Sequence, residues 1–158
     1  MERMGIHAAL VLSLCSTALA QTLEITPVTV DQGSANIFRI VLKPKAEKPI
    51  AALQWELVYR EGIRIEPSGV VPGTASEAAG KSLTCARKPA AGADSILACI
   101  LAGGVQTISA GAIAIVRFEA VKDSPKGERN VAVQKIIGVS PTLESIPVET
   151  TKASISVR

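Results

Sequence analysis

The side chains that carry most enzyme chemistry are scarce in this chain. Its one histidine, His7, lies within the first 20 of 158 residues. An imidazole base, a Ser-His-Asp set and a histidine metal site would each need a histidine further along. The acids Glu24, Glu56, Asp94 and Glu119 are present. No spacing singles out two of them as the pair, about 5–10 Å apart, that glycoside hydrolysis requires. There is no glycine loop of the phosphate-cradling type and no EF-hand pattern. These absences predict a non-enzyme with no catalytic, cofactor-binding or metal-binding residues.

The cysteines are the remaining reactive groups: Cys15, Cys85 and Cys99. The last two flank a turn-rich link, Lys88-Pro-Ala-Ala-Gly-Ala-Asp94, with strand-like runs Ser82–Lys88 and Ser95–Leu101 on either side. A hairpin centred on Gly92 sets Cys85 directly opposite Cys99. Opposed residues of a non-hydrogen-bonded antiparallel pair have Cα atoms about 4.5 Å apart, close enough for a disulfide. A CxxC spacing and a flanking helix N-terminus are both missing, so the pair reads as a structural staple formed in an oxidising compartment.

The start of the chain agrees with that compartment. Residues 1–20 open with Glu2 and Arg3, continue through an apolar run from Ala8 to Leu14, and close on Ala18-Leu19-Ala20. This is the pattern of a cleaved secretory signal, too short to span a bilayer. Lipidation at Cys15 would need a small residue before it, and Leu14 is not small. The expected mature protein is one domain, residues 21–158, secreted or periplasmic in a bacterium. The signal carries one acid and one base, so the net charge of +3 is unchanged by its loss. The charges are scattered; Lys43, Lys45 and Lys48 come closest to a cluster, but Pro44 and Glu47 interrupt them. No basic run marks a nucleic-acid partner or a membrane surface.

The rest of the chain must supply the frame. Residues 51–60 alternate strictly, with Leu53, Trp55, Leu57 and Tyr59 on one side and Gln54, Glu56 and Val58 on the other. Period-two alternation predicts a strand with one face in a core. Similar runs occur at 22–28, 35–43, 112–122, 130–137 and 148–157, separated by turns such as Asp31-Gln-Gly-Ser34 and Asp123-Ser-Pro-Lys-Gly127. Thr74-Ala-Ser-Glu77 matches a capping box and predicts one short helical turn. Many short strands with regular turns indicate an all-β sandwich or jelly roll.

Two of these strands resemble a known family. Pro49-Ile-Ala-Ala-Leu-Gln-Trp-Glu-Leu-Val-Tyr59 looks like the third strand of cohesin domains. Ser109-Ala-Gly-Ala-Ile-Ala-Ile-Val-Arg-Phe-Glu-Ala-Val-Lys122 is similar to their eighth. Ser124-Pro-Lys-Gly127 resembles the turn after that strand, and Ile146-Pro-Val148 with Ala153–Val157 the closing strand. Arg60 stands where the family pattern has Asp. The resemblance implies a nine-stranded jelly-roll β-sandwich related to carbohydrate-binding modules. It also implies a receptor for dockerin modules in extracellular polysaccharide-degrading assemblies.

In that family the recognition face includes strands three and eight. Carried over, it predicts Gln54, Glu56 and Val58 on one strand and Ile113, Ile115, Arg117 and Glu119 on the other as an open docking surface. The competing expectation is that a loop or the 74–80 turn covers the two isoleucines. Other partners remain open: a polysaccharide, or a component of an envelope or secretion assembly. The polysaccharide reading needs an exposed aromatic platform, whereas Phe38, Trp55, Tyr59 and Phe118 all fall on the predicted core side.

Overall fold

The computed structural model of the chain describes residues 21–45, 47–151 and 153–158. The expected signal segment, Cys15 included, lies outside the described residues. The chain runs β1 (Gln21–Ile25), β2 (Val28–Val30), β3 (Ala35–Lys43), β4 (Ala52–Arg60), β5 (Ile63–Arg64), β6 (Val70–Pro72), α1 (Thr74–Ala78), β7 (Ser82–Lys88), β8 (Asp94–Ala102), β9 (Gly111–Ala120), β10 (Gly127–Val139), β11 (Ser145–Ile146), β12 (Val148–Thr150) and β13 (Ala153–Val157). These strands form a two-sheet, all-β jelly-roll sandwich. The first sheet has the order β12-β1-β3-β9-β5, with β6 also on β9. The second has the order β2-β13-β10-β4-β8-β7, with β11 on β10.

Nine strands were expected and thirteen segments are found: the runs 22–28 and 148–157 each give two segments, and β6 and β11 are additional. One helical turn was expected. A second, a 3-10 turn at Pro67–Gly69, is also present. Helix α1 occupies the expected place, but without the capping box: Gly73 is the N-cap, Thr74 is already helical, and no side chain caps the end.

The core lies between the sheets and is built by alternation. Phe38, Ile40 and Leu42 of β3 face inward from the first sheet, and Leu53, Trp55, Leu57 and Tyr59 of β4 from the second; all are buried. Burying a side chain of this size contributes about 1.5–3 kcal/mol, so these seven anchor the sandwich. The Tyr59 hydroxyl donates to the Ile65 carbonyl at 3.1 Å. The Cys85–Cys99 disulfide is formed, with Cα atoms 4.1 Å apart, and the two residues are directly paired as expected. Cys99 in turn pairs with Trp55, so the bond lies on the inner face of its sheet.

Two bulges break the simple alternation. On β9, Ala114 pairs with Ile40 and Ala112 with Val41, which leaves Ile113 as an extra residue. An extra residue inverts the facing of one side of the strand relative to the other. Ile113 is therefore fully buried, and its predicted place on an open surface is corrected. Its carbonyl leaves the ladder and accepts from the Gly73 N–H at 3.0 Å and the Ser76 hydroxyl at 2.8 Å. Helix α1 is thus clamped to the bulge. On β10 the second bulge falls between Gln134 and Ile137, and Lys135 takes a left-handed conformation there, with φ 49°.

Candidate functional site

Strand β4 has two neighbours in its sheet, β8 on one side and β10 on the other. Strand β9 is in the opposite sheet. The run 109–122 therefore does not lie beside 51–60; the strand that does is 127–139. Both strands carry the same alternating apolar pattern, and pattern alone does not assign a strand to a sheet. The seven residues predicted to share one surface are divided. Gln54, Glu56 and Val58 line the open face of the second sheet. Ile115, Arg117 and Glu119 line a groove on the outside of the first. Ile113 is in the core.

The register of four strands lays out the open face of the second sheet as a grid. One row reads Thr84, Ile100, Gln54, Ile137. The next reads Ala86, Ala98, Glu56, Gln134, and the third Lys88, Ile96, Val58, Ala132. On β8 the middle row has Ala98 between Ile96 and Ile100, and on β7 it has Ala86 between Thr84 and Lys88. The two isoleucines thus bound a shallow trough at Ala98 on β8, which the Lys88 side chain crosses to reach Glu56. Its two walls stand four residues apart along the strand, about 13 Å.

Glu56 closes the trough. It was expected to be exposed, yet only 6% of its surface is accessible. Lys88 from β7 donates to one carboxylate oxygen at 2.5 Å. Lys135 reaches the other at 3.3 Å, and the Gln134 amide also donates at 3.3 Å. Lys135 comes from the second bulge, and its left-handed backbone sets it beside Glu56. The hydrogen bond from Lys88 holds the Glu56 carboxyl below the usual glutamate range; burial opposes this, and Lys135 and Gln134 reinforce it. Both lysine side chains keep about half or more of their surface exposed, 45% for Lys88 and 65% for Lys135. The centre of the face thus carries one buried negative charge under two accessible positive ones.

Apolar exposure is concentrated at one end. Ile100 and Ile137 flank Gln54 and are 51% and 47% exposed. Ala52 pairs with Val139 and Leu53 with Leu101, so the loops that leave β8 and β10 emerge at this same end. They carry Val105, 75% exposed, and Leu143, 86% exposed. Leu143 has φ 64°. A leucine in the left-handed region is costly and its side chain gains no core contact in return. Large exposed apolar groups are thus gathered at one end, one of them on a strained backbone.

Ile100, Ile137, Val105, Leu143, Lys88 and Lys135 were not among the predicted docking residues. A sequence signal existed for Ile100: if Cys99 points inward to its disulfide, Ile96, Ala98 and Ile100 must point outward. No comparable signal existed for Ile137 or Lys135, because the bulge changes facing without changing composition. All four aromatic rings are buried, as predicted: Phe38 0%, Trp55 0%, Tyr59 2% and Phe118 1% exposed. Among the described residues, no group of three or more His, Cys, Asp or Glu is placed to hold a metal ion.

No protein-family model matches the sequence, and no curated protein does. Solved structures do. A non-cellulosomal cohesin from the archaeon Archaeoglobus fulgidus superimposes with a TM-score of 0.71 at 13% identity, over 88% of this chain and 91% of that one. The chain has the cohesin fold. A novel type I cohesin–dockerin complex from Clostridium thermocellum gives 0.71 at 14% identity, over 88% of this chain and 99% of that one. The solution structure of a cohesin from Clostridium acetobutylicum gives 0.67 at 13% identity, over 87% and 90%. In this cohesin-like sandwich the grid of β7, β8, β4 and β10 is a continuous sheet surface with no covering segment among the described residues.

Proposed function

We propose that this chain is a non-catalytic binding module that docks a protein partner on the open face of its second sheet. The observation that carries this reading is the apolar end of the grid, where Ile100, Ile137, Val105 and Leu143 are all exposed. The partner has an apolar anchor for Ile100 and Ile137, and acidic groups for Lys88 and Lys135. Apolar centre and polar rim is the usual layout of a specific protein interface. In its finer form, the partner is a dockerin or a module built like one, borne by a polysaccharide-degrading enzyme outside the cytoplasm. The neighbour from Clostridium thermocellum is a cohesin–dockerin complex. The signal-like leader and the disulfide support an extracytoplasmic place. Direct polysaccharide binding lacks support, since no aromatic plane is free to stack on a sugar ring.

The test is photo-crosslinking in the producing bacterium, with a benzophenone amino acid in place of Gln54 in the full chain. The expected result is a discrete adduct to one protein, lost when Ile100→Lys is introduced alongside; burying an unpaired charge at an interface centre should weaken binding at least about tenfold. Absence of an adduct, or an equal adduct from Thr22 on the opposite sheet, would overturn the proposal.

A further inference from the structure

The outer surface of the first sheet carries a second, separate feature. Strand β9 pairs with β5 at one end and β6 at the other, and the segment between them bows away through the 3-10 turn. This opens a groove of about 550 Å³. Its floor includes Ile37, 41% exposed, Val71, 44% exposed, and the half-buried Ile115. Solvated sheet faces ordinarily carry polar residues in such positions.

Charge is arranged around this floor with a period of two. Arg39 pairs with Ile115 and Ile37 with Arg117, so two isoleucines and two arginines occupy alternate corners of a square. Val71 extends the Ile115 row, and Arg64 pairs with Glu119 at the far end. Arg64 reaches Glu119 at 3.4 Å, and Glu66 on the rim is held by Arg87 at 2.8 Å. Arg39 and Arg117 are exposed and make no ion pair among the described residues. Both acids of the groove are thus already paired, and two arginines are left over. A second copy of the chain presenting the same surface would be repelled.

We infer that this groove binds an extended acidic segment of a partner protein, in which the residues along one side, every second in sequence, are alternately apolar and Asp or Glu. Rows along β9 repeat about every 6.6 Å, and so do same-side residues of an extended peptide. An apolar residue over Ile115 and Val71 then sets its second neighbour beside Arg117. A guanidinium takes a carboxylate in a two-point fork, which fixes register as well as sign. The inference is independent of the docking face proposed above, which lies on the opposite side of the sandwich.

The test is amide chemical-shift mapping by NMR on the isotopically labelled full chain. The probe is the capped peptide Val-Ser-Glu-Ser-Val-Ser-Glu, taken up to about 5 mM, above the roughly millimolar constants of weak contacts. The expected result is saturable shifts centred on Ile37, Val71 and Ile115, weakened at least about tenfold in Arg39→Ala/Arg117→Ala and lost in Ile115→Lys. All the substituted side chains lie on the outer face, and the wild-type spectrum elsewhere reports that each variant is folded. Four outcomes would overturn the inference: no shifts, shifts centred on Ile100 and Ile137, equal binding of Val-Ser-Lys-Ser-Val-Ser-Lys, or the same saturation with free glutamate.

Discussion

Breaking the Cys85–Cys99 bond should cost this protein much of its stability without altering its native fold. The bond joins residues 14 apart in sequence, and their strands are already paired on both sides of it. Its main effect is therefore on the unfolded chain, where it closes a loop. For a loop of about 15 residues the chain-entropy estimate is about 3 kcal/mol at 25 °C. An unfolding entropy of about 2.1 cal/mol/K per residue gives roughly 0.3 kcal/mol/K for some 140 residues. The melting temperature should thus fall by about 10 °C. Reduction of the wild type and the Cys85→Ala/Cys99→Ala variant should agree within a few degrees, because neither rearranges the hairpin. Thermal melts followed by far-ultraviolet circular dichroism provide the measurement. In urea the slope m should rise on reduction, since an uncrosslinked chain exposes more surface when it unfolds. A fall of less than about 3 °C with an unchanged m would refute the reasoning.

Three further substitutions probe the features that shape the two faces. Gly73→Ala should lower stability by about 2–3 kcal/mol, because a Cβ there would stand 2.3 Å from the Ala112 carbonyl oxygen, which is backbone and cannot yield; a melting temperature within about 2 °C of wild type would contradict this. Leu143→Asn should raise stability by about 1 kcal/mol, since Asn tolerates the left-handed backbone, and should weaken partner capture in the crosslinking assay. Glu56→Gln addresses pH. The folded-state value of Glu56 is lowered, so its contribution is present above the ordinary glutamate value, about 4.3, and is lost as pH falls through the lowered one. The stability gap between wild type and Glu56→Gln should accordingly narrow in denaturant titrations below about pH 4.3; a constant gap from neutral to acid pH would contradict it.

The sequence revealed the inner half of this molecule better than its outer half. The Trp55 side of β4 and the Cys85–Cys99 pairing were legible, because they follow from alternation and spacing; the short turn at 74–78 was placed correctly, but from a capping box that does not form. The partition of strands between sheets was not. The runs 111–120 and 127–139 both alternate, and only the pairing register shows that the second adjoins β4. Facing failed at Ile113 for a related reason. One inserted residue inverts inside and outside, and nothing in Gly-Ala-Ile-Ala-Ile-Val announces it. Glu56 was placed on the correct face with the wrong exposure, because Lys88 comes from a strand 32 residues away in sequence.

The position of the disulfide has an optical consequence. Trp55, the chain's one indole, is fully buried, its ring nitrogen has no hydrogen-bond partner among the described residues, and Cys99 is its direct cross-strand neighbour on β8. A sulfur–sulfur bond beside an excited indole drains its emission. The oxidised protein should glow faintly at short wavelength. Gentle reduction should brighten it with no change of colour, and only denaturation should shift it to the red. The molecule thus carries its own lamp for the state of its thiols, readable in a cuvette without any attached dye.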